Sequence, residues 1–176
     1  MNLLATAISS NQTLLNDLVD NLLLIASKHL PLYRKSETIA GNASIGHQVR
    51  HILDFYTAFI NGLKNNVIDY DQRERDVALE ENISNAIDKA LLTSQQLQHI
   101  TLETQQSIVV SVSTDTNISS MQGKSTLLRE LQFIHSHTTH HMAIIAMLLR
   151  LNDIQPGNNF GKSPSTVKHE EEAFNQ

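Results

Sequence analysis

Residues 125–151, STLLRELQFIHSHTTHHMAIIAMLLRL, decide how the chain folds. Laid out at about 100° per residue, Leu127, Glu130, Phe133, Ile134, His137, His141, Ile144, Ile145, Leu148 and Leu151 fall on one side, so the spacing predicts one long amphipathic helix. Its apolar face needs partners, and the flanking sequence supplies three more stripes of the same period. In residues 44–64, Ile45, Ile52, Tyr56, Phe59 and Leu63 share a narrow arc, with Ser44 as the expected N-cap. Leu3, Leu14, Leu15, Leu18, Leu22 and Leu23 predict a helix over about 3–28 that stops before Pro31. A third pattern runs from about 78 to 100, with Leu79, Ile83, Ile87, Ala90, Leu91 and Leu97 facing inward.

Four apolar stripes are buried together most simply in an all-α four-helix bundle. Between the stripes, LPLYRKSETIAGNAS reads as a loop and NNVIDYDQRERD as a charged connection. Residues 107–114, SIVVSVST, read as a strand or an extended crossover, with residues 117–122 as its expected partner. Gly123-Lys124-Ser125 lacks the preceding glycine of a P-loop and reads as a turn leading to an N-cap. From about residue 152 the tail is punctuated by Pro and Gly and reads as a loop-like strap across the bundle, fraying at its acidic end. The expected organisation is therefore a single domain over 1–176 with a long crossover and a C-terminal strap.

Composition excludes several functions. With 176 residues and a 40% hydrophobic share, the chain can bury a core of its own. A net charge of −5 and no basic cluster argue against nucleic-acid binding, which needs cations against phosphate. The absence of cysteine removes thiolate metal sites and cysteine nucleophiles, so any metal must be held by nitrogen or oxygen. The first twenty residues have no basic region and are interrupted by Asn2, Asn11 and Asp17, so no signal peptide and no membrane association are expected; a cytoplasmic location follows.

Six of the nine histidines lie in two short segments, GHQVRH with His47 and His51, and FIHSHTTHH with His135, His137, His140 and His141. Residues four apart share a helix face, so His137 and His141 can aim two imidazoles at one point. With His137 at zero, His141 falls near 40° and His135 near 160°, while His140 sits about 60° to the other side. His51 lies nearer Phe55 and the apolar arc than His47 does, which makes it the favoured third ligand. Three neutral imidazoles suit zinc, nickel, copper or iron and leave positions for water or substrate. An ordinary buried histidine needs only a hydrogen-bond partner, but a pair on a core face together with a second cluster calls for more. No His-Glu-x-x-His, paired Glu-x-x-His, dinucleotide fingerprint or nucleophile elbow competes.

The segments SIGHQVRHILDFY, VIDYDQRERD, RELQFIHSHTTHHMAIIAMLL and FGKSPSTV, spanning about 40–170, together resemble the DinB (YfiT-like) superfamily of metal-dependent bundle proteins. The resemblance implies an up-down-down-up bundle, a bound nickel, zinc or similar divalent ion, and a homodimer. It places one ligand at His51, followed by Ile52, and two at His137 and His141. It also implies a metal-dependent hydrolase or a transferase using a low-molecular-weight thiol. The alternative is a non-catalytic metal-binding or stress-response module. Many relatives carry Arg-Gly-Gln directly after the last histidine; Met142, Ala143 and Ile144 stand here.

Further candidates lie outside the two histidine segments. Glu130, one heptad before His137, is expected either to orient a ligand histidine or to complement the helix dipole. Arg73, Arg75 and Asp76 would serve an anionic small-molecule substrate if their loop covers the site; otherwise they form a solvated linker. Ser165, Thr166 and His169 would join the site only if the tail folds toward it.

Overall fold

Capping side chains set where the helices begin. In the computed structural model, which describes residues 2–101, 106–117 and 120–174, Asn2, Ser44, Asp76, Asn82 and Thr126 each accept a backbone N–H bond from the first turn that follows. The helices are α1 (Leu3–Lys28), α2 (Ile45–Leu63), α3 (Val77–Glu81), α4 (Ile83–Gln98), α5 (Leu127–Arg150) and α6 (Pro164–Phe174). Ser44 is the cap expected from sequence, accepting from the His47 N–H at 3.0 Å.

The fold is mostly helical rather than all-α, because among the described residues three strands intervene: β1 (Val67–Asp69), β2 (Ser107–Val112) and β3 (Met121–Thr126). They form one sheet in the order β1-β2-β3, parallel between β1 and β2 and antiparallel between β2 and β3. The parallel pair needs a long crossover, and α3 and α4 provide it. Thus part of the charged connection is strand, with Ile68 buried against the helices. The partner expected at 117–122, of which 118 and 119 lie outside the described residues, is instead Met121–Thr126. Gly123-Lys124-Ser125 is consequently strand, opposite Val110, Val109 and Ile108, rather than a turn.

The third helical pattern is broken at Asn82. Its side chain accepts from the Ser84 and Asn85 N–H groups while its own backbone is extended, with φ −124° and ψ 109°. That local bonding ends α3 and starts α4, which periodicity alone does not register. Leu3, Leu23, Leu91 and Leu151, expected to face inward, are exposed.

α1 packs against α4 and α5, and α2 packs against the same two helices. Leu15, Leu18, Leu22, Ile52, Phe59, Leu131, Ile134 and Ile145 are fully buried in the shared core. A polar pin crosses it: Tyr56 Oη donates to Asn11 Oδ1 at 2.8 Å, and Asn11 Nδ2 donates to the Leu131 carbonyl at 3.1 Å, tying α1, α2 and α5.

α3 lies so close to α2 that a Cβ on Gly46 would sit 2.3 Å from the Glu80 carbonyl oxygen and 3.0 Å from the Tyr33 ring. Gly46→Ala is expected to destabilise the protein by about 1–3 kcal/mol, since backbone has to shift. Urea denaturation measures this; an unchanged midpoint would contradict the packing.

The tail departs from the loop-like expectation. Residues 152–163 do cross α5 as a strap, with Ile154 and Phe160 buried and Gly161, at φ +78°, pressed against Ala143. Pro164–Phe174 is then helical, capped by Ser163 Oγ accepting from the Thr166 N–H. It buries no side chain, so no apolar period announced it. Of the end expected to fray, residues 170–174 are helical, and residues 175 and 176 lie outside the described residues. Among the described residues, no helix is long and apolar enough to cross a membrane.

Candidate metal centre

Helical spacing puts His137 and His141 on one face of α5, and the contact between α2 and α5 brings His51 to meet them. One ring nitrogen from each lies within 4.8 Å of the others. His137 Nε2 is 3.1 Å from His51 Nε2. Ring centroids are 4.4 Å apart between His51 and His141 and 4.5 Å between His137 and His141. These nitrogens are within reach of a single ion, and all three side chains are half-buried, so the cluster keeps an opening to solvent.

Gln48, unremarked in the sequence reading, completes the arrangement. It precedes His51 by one helical turn and is buried, and its Oε1 accepts from His141 Nδ1–H at 2.6 Å. That bond leaves the His141 Nε2 lone pair free and fixes the ring. The i−3 spacing to a candidate ligand was the signal available in sequence.

An aromatic wall backs the imidazoles. The Phe55 ring lies 3.9 Å from that of His137 and 4.9 Å from that of His51, and Tyr70 stacks on Phe55 at 5.2 Å. Phe133 stacks near His137 from its own helix, at 5.9 Å. Burial lowers the His51 and His137 pKa values to about 4 and that of His141 to about 3, with further contributions from neighbouring positive charge. Neutral imidazoles, the form that binds metal, therefore predominate in the folded protein well below pH 6.5.

This has a consequence for the metal-free protein. Unfolded histidines titrate near 6.5, whereas the folded ones resist protonation until about 4 or 3, so the unfolded state binds more protons across that window. Their contribution to stability is complete above pH 6.5 and is lost as pH falls toward 4 and below. Melting temperature measured from pH 7.5 to 4.5 after chelation should fall less steeply in a variant carrying His51→Gln, His137→Gln and His141→Gln. Superimposable profiles would refute the assignment.

The other candidates sort out by position. His47 faces Glu80, 3.7 Å from its carboxylate, and His140 is exposed with its ring 5.1 Å from that of His141. His135 lines a groove of about 370 Å³ with Leu3, Asn11 and Leu131, away from the cluster. Glu130 is buried and accepts from Tyr70 Oη at 2.9 Å and Ser125 Oγ at 2.5 Å, so it braces the aromatic wall and does not hold a histidine directly. Ser165, Thr166 and His169 are exposed on α6. Asp76 caps α3 and Arg75 points to solvent, whereas Arg73 turns inward over Phe55, 4.4 Å from the ring centre.

A mostly helical chain with three imidazoles converging between two helices belongs to a recognisable class, the histidine-bearing helical proteins that can hold a metal ion in their core. The DinB family model matches residues 23–157, and the chain belongs to the DinB family. Neither the curated proteins nor the solved structures yield a match.

Proposed function

We propose that the chain binds one divalent transition metal ion, nickel or zinc, through His51, His137 and His141, and uses the open side of that site on a small-molecule substrate. The convergence of the three ring nitrogens within 4.8 Å, with Gln48 orienting one ring, is the observation that carries this reading. Neutral nitrogen donors suit the borderline ions zinc and nickel. Half-burial favours a catalytic site with an accessible position over a closed structural staple, which is the competing metal-binding or stress-response module.

When bound, a divalent ion would supply Lewis acidity that lowers the pKa of a water or thiol taken up beside it. The chain's own residues do the rest. The His51, His137 and His141 side chains stay neutral and available, Gln48 fixes the tautomer of His141, and Phe55 and Tyr70 keep water from one flank of the site. Such a site fits a metal-dependent hydrolase or a transferase acting with a low-molecular-weight thiol. The packing of α1 and α2 each against α4 and α5 supports reading these as the family's four-helix bundle.

Calorimetric titration of zinc and nickel into chelator-treated protein tests the proposal. One ion per chain is expected, with affinity reduced about 10–100-fold in Gln48→Leu, because the His141 ring loses its orienting acceptor. Equal affinity in Gln48→Leu and wild type would remove Gln48 from the site, and no saturable binding would overturn the metal reading itself.

A further inference from the structure

Arg73, in the charged connection between α2 and α3, turns toward the same side as the histidines. Its guanidinium lies over Phe55, 4.4 Å from the centre of the same ring whose centroid is 3.9 Å from that of His137. One of its nitrogens donates to the Tyr70 carbonyl, which fixes the loop's approach. Its charge reaches the cluster: it is among the causes that lower both the His51 and His137 pKa values.

Asp54 and Asp71 act on it through space, but the carboxylates around it make their close contacts elsewhere. Asp54 pairs with Arg50 at 3.6 Å, and Glu130 accepts from Tyr70 and Ser125. Asp71 accepts from Ser113 and Ser120, and Asp69 from the Asp71 and Gln72 N–H groups. Among the described residues no carboxylate lies within ion-pair distance of Arg73, although its neighbour Arg50 has both Asp54 and Glu80. The imidazole cluster includes no carboxylate either. Three neutral ligands leave a divalent ion's charge uncompensated, and the half-buried guanidinium stacked on Phe55 adds another positive charge. Partly desolvated cations of this kind are stabilised by an anion, and the planar fork of arginine matches an oxyanion.

We propose that Arg73 is the anchor for an anionic substrate at this site, receiving a carboxylate or phosphate group of a small molecule whose reacting end lies at the histidine cluster. The proposal rests on the three-histidine metal reading. It selects oxyanion-bearing small molecules over neutral ones and separates Arg73 from Arg75, which points to solvent.

The test uses the cobalt(II)-loaded full chain titrated with acetate and, separately, with inorganic phosphate, while the visible absorption of cobalt is recorded. Elemental analysis of each sample gives the metal content. Wild type is expected to show a saturable spectral change, Arg73→Met the same metal content with oxyanion affinity lowered about tenfold or more, and Arg75→Met wild-type affinity. Arg73→Lys should recover part of the loss, since charge returns without the fork. A response to acetate alone assigns a carboxylate, and a response to phosphate alone assigns a phosphate. Full cobalt content with equal oxyanion affinity in wild type and Arg73→Met would overturn the anchor and leave the metal site standing. Wild type that takes up no cobalt would overturn both.

Discussion

His137→Ala is expected to abolish stoichiometric metal binding while leaving the chain folded. His137 is the pivot of the cluster: its Nε2 is 3.1 Å from His51 Nε2, and its ring sits between Phe55 and the edge of His141. Removing it leaves one imidazole on each of two helices, without the four-residue pair that pre-organises the site. The loss should exceed the roughly 10–100-fold penalty expected for an orienting residue such as Gln48. In the metal-free protein the change is small, about 1 kcal/mol, because a half-buried imidazole and one hydrogen bond are lost. In the presence of metal the contrast is larger. An ion at about 100 times its dissociation constant adds about 2.7 kcal/mol to wild-type stability and nothing to a variant that does not bind it. Thermal melts with and without added zinc should therefore separate in wild type and coincide in His137→Ala.

Phe55→Ala is expected to cost about 3–5 kcal/mol, the usual range for deleting a buried aromatic ring and leaving part of its cavity. Phe55 is buried and touches four of the functional groups at once, with His51, His137 and Tyr70 at 4.9, 3.9 and 5.2 Å between ring centres and the Arg73 guanidinium over its face. Its loss should therefore reach beyond stability and, on the proposed reading, also weaken metal affinity, since two of the three imidazoles lose the surface they rest on. Phe55→Leu keeps most of the volume and should recover most of the stability. Urea denaturation and zinc titration of the two variants check this. A Phe55→Ala protein as stable as wild type would contradict the packing, and one with reduced stability and unchanged zinc affinity would confine Phe55 to the core.

The long helices were legible because each repeats apolar residues at the helical period over many turns. α5 is the clearest case, and the spacing of His137 and His141 within it carries the pair onto one face without any tertiary knowledge. Ser44 was legible as a cap because its hydroxyl bonds within three residues. What escaped the sequence depended on competition or on distance. Asn82 breaks a good helical pattern by offering its side chain to the next turn. β3 is exposed over Met121–Lys124, so the alternation that marks a half-buried strand is missing. α6 buries nothing and stands on its cap and the Lys162–Glu170 ion pair, which hydrophobic periodicity does not report. Gln48 makes its contact across the fold, with a histidine 93 positions away, and Arg73, named in the sequence together with Arg75 and Asp76, is set apart from them only by a loop whose path periodicity does not set.

Elemental analysis of the purified wild-type chain beside His51→Ala and His137→Ala tests the central claim most directly. One transition metal ion per wild-type chain and essentially none in either variant is the expected result. Equal metal content in all three proteins would contradict the three-histidine site.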